Sequence, residues 1–459
     1  MSKAQNPSEA QLKAAPLSRY QVFTQSWPIM LANGAAPIVG FVDTLMVGRF
    51  VGTSALAGIG LGAVIYGIFY WGFGFLRMST AGLAAQSDGQ GAEADVQAHI
   101  LRALPIGLGI GLFILVFQFW LLPFVFQFYT AAPDIESSAQ TYIRARLWGL
   151  PATLGSIALM GWFVGISRSG LALYLQIVLN VANIILSPIF VLGFGAGLYG
   201  VGLASSFAEW AGLGAGLFFA YREIKRRGGF QSRALSREAL LHKDALSKLG
   251  VTNSNIFVRT LTLTIGFNFF GNAAASEGET FLAGYHILMQ FITMSALILD
   301  GFAHTAEAVT GAAFGAKNRQ RFDRAVRLTS EFSVLFALVC SGLIYFGGPF
   351  IISALTQDPM VKASALQYLP YCALAPILGF AAFQIDGIFI GTTQTAAMRN
   401  AGIASVILYI GAHFLIYPSL GATGIWVAFL FYYIARAFTL GLAYPSVLKK
   451  MDTMKNNPT

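Results

Sequence analysis

The chain has 459 residues, 56% hydrophobic and only 11% charged, with a mean hydropathy of +0.65. Soluble domains carry roughly 25% charged residues, so a soluble globular fold is excluded. The net charge of +9 raises nucleic acid as a partner, and the placement of that charge decides the matter.

Met1–Tyr20 is polar, and the apolar run behind it is too long for a signal-peptide core, so no cleavable signal is expected. Val22–Val47, Ser54–Leu76, Ala103–Phe128 and Leu171–Phe194 are apolar runs. Each reaches the roughly 20 residues a helix needs to cross about 30 Å of hydrocarbon. Read in chain order, the predicted spans are 22–48, 54–84, 100–128, 137–163, 169–194, 198–224, 246–271, 280–313, 325–352, 362–391, 396–418 and 422–447. The ten-residue alternation of a membrane β-barrel is absent. The fold class predicted is an all-α polytopic membrane protein of twelve transmembrane helices.

Lys and Arg gather in alternate loops. Arg222, Lys225, Arg226, Arg227, Arg233, Arg237, Lys243 and Lys248 fill the mid-chain segment, and Lys317, Arg319, Arg321, Arg324 and Arg327 form a second cluster. The opposite loops hold Arg49 and Lys362 beside Asp134, Glu136, Glu277, Glu279 and Asp358. This is the positive-inside pattern with both termini cytoplasmic. The basic excess therefore reads as topology with anionic lipid contact, not as a nucleic-acid surface.

An internal repeat runs through the chain. Leu56-Ala57-Gly58 matches Leu282-Ala283-Gly284, Gly89 matches Gly315, and Gly161-Trp-Phe-Val-Gly165 matches Gly387-Ile-Phe-Ile-Gly391. All three share an offset of 226 (283 − 57, 315 − 89, 387 − 161). Gly200-Val-Gly-Leu-Ala204 and Gly424-Ile-Trp-Val-Ala428 follow after a two-residue slip. The expected organisation is a cytoplasmic segment 1–21, an N-lobe 22–224, a basic linker 225–245, a C-lobe 246–448 and a tail 449–459. Six spans per half make the halves parallel repeats about an axis along the membrane normal, a geometry that favours a transporter.

Charges inside the spans call for a reason, because each costs at least about 2.5–3.5 kcal/mol at mid-bilayer. Asp43 is the only ionisable residue between Tyr20 and Arg49. Burial disfavours its charged form, so it is a candidate to load and release a proton or to hold a sodium ion. The alternative is an ion pair with Arg49. Pro28 and Pro37 give the same helix kink points; the alternative is a static kink that helps packing.

Asn180, Asn183 and Ser187 on span five, and Ser205, Ser206 and Glu209 on span six, could serve Asp43 or act as interhelical hydrogen bonds. In the second half, Asp300, His304 and Glu307 form an i, i+4, i+7 stripe, and Asp386 opens the Gly387 segment. Arg77, Arg144, Arg259 and Arg436 are candidate counter-charges, with no pairing assigned. Cys340, Cys372 and the five histidines show no disulfide or metal-ligand spacing. No zinc-protease, nucleophile-elbow or Walker A pattern occurs, so neither an enzyme nor a nucleotide-driven pump is expected.

Pro28-Ile-Met…Phe41-Val-Asp-Thr-Leu-Met-Val-Gly48 resembles the first helix of MATE (multidrug and toxic compound extrusion) transporters. Phe75-Leu-Arg-Met-Ser-Thr-Ala-Gly-Leu-Ala-Ala-Gln86, Asp386-Gly-Ile-Phe-Ile-Gly391 and Met398-Arg-Asn400 resemble the DinF subfamily. The resemblance spans nearly the whole chain. It implies two pseudo-symmetric six-helix lobes and export of amphipathic, cationic or aromatic compounds in exchange for H+ or Na+. It also implies that Asp43 is the coupling acid, served by Asn183, Ser187 and Ser205, with helix one bending at Pro28. Related members often carry an aspartate where this chain has Ser187, which tilts the expectation towards protons. The implied partners are small organic molecules and membrane lipids, with the chain a monomer in a bacterial inner membrane and no cofactor beyond the coupling ion. An ion-driven flippase of lipids or lipid-linked precursors is the alternative function.

Overall fold

The computed structural model describes residues 17–456 except 36, 130, 237, 239 and 241. Most of the expected N-terminal segment, the last three tail residues and Arg237 lie outside the described residues. With no water in the bilayer core, backbone polar groups must be satisfied within the chain, and helices do this locally. Among the described residues there are fifteen α-helices and no strand.

The first span comprises α1 (Arg19–Ala35) and α2 (Pro37–Phe50), and the second α3 (Thr53–Gly72) and α4 (Phe75–Gln90). The third is α5 (Glu93–Phe126). The fourth is broken into α6 (Pro133–Leu147) and α7 (Leu150–Gly165). The fifth is α8 (Ser169–Pro188), continued by a π-turn over Ile189–Gly193, and the sixth is α9 (Gly197–Arg226). The second half runs through α10 (Lys243–Ser276), α11 (Glu279–Gly315), α12 (Arg319–Leu355), α13 (Pro359–Gly391), α14 (Thr395–Leu420) and α15 (Ala422–Asn456).

Ten described segments are long and apolar enough to cross a membrane, and the bent pair α6–α7 makes an eleventh. The twelfth, α10, has 34 residues, about 51 Å at 1.5 Å per residue. Its polar residues, among them Lys248, Asn253, Asn255 and Arg259, lower its hydropathy.

Span four departs from the expected continuous helix 137–163, bending by 56° between Leu147 and Leu150. Gly149 sits in the bend, where a Cβ would come within 2.8 Å of Ser206 Cα. The bend thus brings α9 close against the joint.

The repeat is visible in the element boundaries. Adding 226 carries the end of α2 at Phe50 onto the end of α10 at Ser276. The starts of α3, α5 and α6 map in the same way onto those of α11, α12 and α13. Contacts obey the same rule. A Cβ on Gly89 would overlap the carbonyl oxygen of Ala312, and one on Gly315 would overlap that of Gln86. These are one contact and its mate (86 + 226 = 312), and both cross between the lobes. Gly161 against Arg77 and Gly387 against Ala303 are a second such pair, one inside each lobe. The pseudo-twofold axis therefore passes where α4 and α11 touch backbone to backbone.

Each lobe has its own core. In the C-lobe it is aromatic, with Phe270 stacked on Phe429 at 4.0 Å and Trp426, Tyr409, Tyr432 and Tyr433 around them. The outer surface is apolar as well: Phe346 and Leu415 are each 82% exposed, as expected of side chains that face lipid.

Burial also reaches the basic linker. Arg227 pairs with Asp88 and Glu93. Burial opposes its charge, but the two carboxylates hold the guanidinium above its usual range.

Gly89→Ala and Gly315→Ala should each destabilise the purified protein by about 1–3 kcal/mol, the usual range for overpacking. Gly109→Ala is the control, because it meets nothing within 4 Å and gains helix propensity. Thermal unfolding in detergent should show lower midpoints for the seam variants only.

Candidate functional site

Asp43 lies on α2 and is 1% exposed. Tyr142 Oη donates to its Oδ2 at 2.8 Å. Ser205 Oγ lies 3.0 Å from Oδ1 and 2.9 Å from Oδ2. Asn183 Nδ2 reaches Oδ1 at 3.4 Å and donates to Ser205 Oγ at 2.9 Å. A serine has one hydroxyl proton, so Ser205 serves one carboxylate oxygen at a time while accepting from Asn183. All three donors are neutral. Among the described residues none forms an ion pair with Asp43, and Arg49 is exposed at the end of α2.

Four elements build this cage. Gly62 on α3 lets α6 approach, since a Cβ there would lie 2.7 Å from the Tyr142 ring. Gly202 on α9 does the same against the Tyr142 carbonyl oxygen, at 2.8 Å. The small residues bring two polar helices to within a hydrogen bond of Asp43. Behind them, the Arg146 guanidinium stacks 4.2 Å over the Tyr66 ring and lies 3.8 Å from Glu209 Oε1. Tyr66 Oη meets Thr153 Oγ1 at 2.9 Å.

Two further oxygens, Asn183 Oδ1 and Ser187 Oγ, are buried without a hydrogen-bond partner. Both lie on α8, one turn apart, and Asn183 also touches Asp43. They leave acceptor capacity for a water or a cation.

Asn180 is placed elsewhere. Its Nδ2 donates to the Ala35 carbonyl oxygen at 2.9 Å and its Oδ1 accepts from Gln176, so it ties α8 to the first span beside Pro37. Pro28 is buried within α1, and Pro37 is the first described residue of α2.

The second-half candidates separate into distinct groups. Asp386 pairs with both Arg259 and Arg436, the latter at 2.8 Å. Glu307 pairs with Arg77 across the lobes at 3.2 Å. Asp300 and His304 are half-buried on one face of α11, with no hydrogen bond to another described residue. Arg144 is exposed and bonds only to Gln140 at 3.5 Å. The buried arginine of that helix is Arg146, which the sequence reading missed along with Tyr142 and Tyr66. The available signal was periodicity: Tyr142 and Arg146 share a face at i, i+4, with Arg144 turned away from it.

The MatE family model matches residues 28–189 and again 256–415, so both halves fit one pattern and more than half of the chain is covered. The chain belongs to the MatE family. A relative, "DNA damage-inducible protein F" of Escherichia coli (strain K12), is 28% identical over 90% of this chain and 89% of its own. "Probable multidrug resistance protein NorM" of Acinetobacter baylyi is 22% identical over 95% of this chain and 96% of its own. A crystal structure described as MATE in the bent conformation superposes with a TM-score of 0.85 at 18% identity, covering 98% of this chain and 99% of the other. That likeness establishes a shared twelve-helix MATE fold. Both matched segments begin inside the first span of a lobe, and they end 226 residues apart (415 − 189).

Two buried aspartates in this MATE protein should respond oppositely to neutralisation. Asp386→Asn strands two buried guanidiniums and should cost about 3–5 kcal/mol. Asp43→Asn removes a buried charge that makes no direct ion pair and should be neutral or stabilising in thermal unfolding. In the same assay, Tyr142→Phe removes a bond to a carboxylate, worth about 1.5–3 kcal/mol when Asp43 is ionised. Tyr66→Phe removes a bond between neutral hydroxyls, worth about 0.5–1.5 kcal/mol. Equal losses would mean that Asp43 is protonated under the conditions used.

Proposed function

We propose that this protein is a secondary-active exporter of amphipathic, cationic organic compounds, exchanging them for H+ or Na+ through Asp43. One observation carries the reading: a carboxylate is buried among neutral donors, with Arg146 near enough to act on it through space but no direct ion pair among the described residues. A buried charge without a partner is costly, so the site gains by taking up a proton or a cation. Its relatives' names, among them a probable multidrug resistance protein, support export of drugs as the use made of that exchange.

The cage gives the proton a mechanical consequence. An ionised Asp43 accepts from Tyr142, Ser205 and Asn183 at once. A protonated carboxyl must donate one hydrogen bond, so at least one of those donors has to turn away. This re-forms the contacts of α2 with α6, α8 and α9.

The first span also touches the other lobe. Met30 packs against Gly301, Ser26 Oγ donates to Thr305 Oγ1 at 2.8 Å, and Asn33 Nδ2 reaches the Leu297 carbonyl oxygen at 3.4 Å. A change in the angle of α2, taken up at Pro37 or Pro28, would be felt at the lobe interface. Bending of helix one is in this way the proposed link between ion and substrate.

The serine at position 187, which leaves Asp43 without a second carboxylate beside it, favours the proton over sodium. The termini and basic loops lie on the cytoplasmic side of a bacterial inner membrane in this scheme, and the cycle runs in a monomer with the gradient as its energy source. No specific observation favours the flippase reading.

The test is dye export by purified protein in liposomes under an imposed pH gradient, and separately under a sodium gradient. Wild type should move a fluorescent cation under the pH gradient, and Asp43→Asn should fall to the rate of empty liposomes. Gradient-driven export by Asp43→Asn at the wild-type rate would remove Asp43 from the coupling role.

A further inference from the structure

Away from Asp43, a cavity of about 250 Å³ opens between α4, α5 and α10. It lies at the ends of these helices that adjoin the basic linker. We propose that it binds a phosphate-bearing anion, either a lipid headgroup or free phosphate, gripped from both lobes at once.

The charge of the lining selects the sign of the ligand. Arg102 on α5 and Lys248 on α10 supply two positive charges against one exposed acid, Asp95. Lys248 makes no ion pair with a described residue, and the charge it feels is the like charge of Lys450. Two cations from different helices converge on this space, and Asp95 is the one acid among its described lining residues.

Neutral polar groups complete the lining. Thr80 Oγ1 is buried and has no hydrogen-bond partner, although Thr80 borders the cavity and is 1% exposed. Such a hydroxyl loses its hydrogen bond to water and needs a replacement. His99 Nε2 lies 3.0 Å from Ser87 Oγ on the same wall. Guanidinium, ammonium and hydroxyl donors from several directions suit the tetrahedral array of phosphate oxygens, whereas a planar carboxylate uses donors in one plane.

Position favours the same chemistry. The long apolar run of α5 begins at Ala103, directly after Arg102, which sets the cavity at the boundary where headgroups lie. Basic pockets between helices on that side of a membrane are established headgroup sites. Leu83 and Leu249 line the cavity beside the charges and can meet the start of an acyl chain.

Because α4 and α5 belong to one lobe and α10 to the other, an occupant would brace the lobes beside the α4–α11 seam. This binding claim stands apart from the coupling role of Asp43.

The experiment uses the full chain in detergent with Ala245→Cys, a substitution in the cavity lining; the native Cys340 and Cys372 are buried. Labelling by a membrane-impermeant maleimide is timed with inorganic phosphate at constant ionic strength, with dioleoylphosphatidylglycerol, and with dioleoylphosphatidylcholine. Phosphatidylglycerol or phosphate should slow labelling, and phosphatidylcholine should not. Protection by phosphate alone identifies a free-anion site, and protection only by phosphatidylglycerol identifies a lipid site.

Lys248→Gln should weaken that protection. Asp95→Asn should strengthen it roughly two- to fivefold, the size of an exposed charge interaction, a gain that misfolding cannot mimic. No protection by either anion, equal protection by phosphatidylcholine, or protection indifferent to both substitutions would overturn the proposal.

Discussion

Removing a carboxylate from water costs several kcal/mol, and at Asp43 this cost is met by three hydrogen bonds and by the through-space charge of Arg146 behind them, with no direct ion pair. Much of the N-lobe can be understood from that constraint. Three donors must reach one side chain from three helices, so the helices must come closer than ordinary side chains permit. Gly62 and Gly202 provide the approach, and the 56° bend of span four swings Tyr142 and Arg146 inward. A straight fourth span could not place the polar α6 against α3 while α7 packs with α5.

The seam between lobes obeys a different rule. There the contacts are backbone against backbone, with Gly89 and Gly315 leaving no room for a side chain. Such an interface holds little adaptable material, so it is either closed or parted. The buried Arg77–Glu307 pair crosses the same seam, yet Arg77 Nη2 and Glu307 Oε1 have no hydrogen-bond partner. An incompletely satisfied buried ion pair contributes little net stability. Close glycine packing, not charge, therefore does most of the holding where α4 meets α11. The first span lies against both α8 and α11, through Ser169 Oγ to the Gln25 carbonyl oxygen and through Ser26 to Thr305. It thus carries Asp43 at one end and touches the other lobe at its other end.

The sequence disclosed the architecture because its signals are one-dimensional. Apolar run length counts spans, and the constant offset of 226 counts lobes. Asp43 stood out for a similar reason: the only ionisable residue between Tyr20 and Arg49 is visible without neighbours. Its partners were only partly legible. Asn183 and Ser205 are polar residues in apolar helices and could be nominated, whereas Tyr142 is an amphipathic residue in a polar helix and gave no contrast. Asn180 shows the converse error. It shares a helix and a chemistry with Asn183, but three residues of helix separate them, and this is enough to send its amide to Ala35. Arg144 and Arg146 were indistinguishable by composition, and the bend that decides between them depends on the packing of α9 against Gly149.

The repeat also explains why only one lobe carries such a site. Adding the offset to Asp43 gives Phe269 (43 + 226), and to Asn183 gives Tyr409 (183 + 226). Ser205, past the two-residue slip, gives Phe429 (205 + 224). These three mates pack together, with Phe269 and Tyr409 at 5.4 Å and Tyr409 and Phe429 at 6.4 Å. Where the N-lobe builds a polar cage, the C-lobe fills the equivalent space with aromatic rings. The C-lobe's own buried acid, Asp386, maps onto Met160 (386 − 226) and is already neutralised by two arginines. One scaffold is thus used twice, once around a buried carboxylate without a direct ion pair and once around packed aromatic rings. Under the proposed coupling, two lobes of equal shape but unequal electrostatics would respond to a proton in the N-lobe alone, and this asymmetry would give a symmetric pair of lobes a direction.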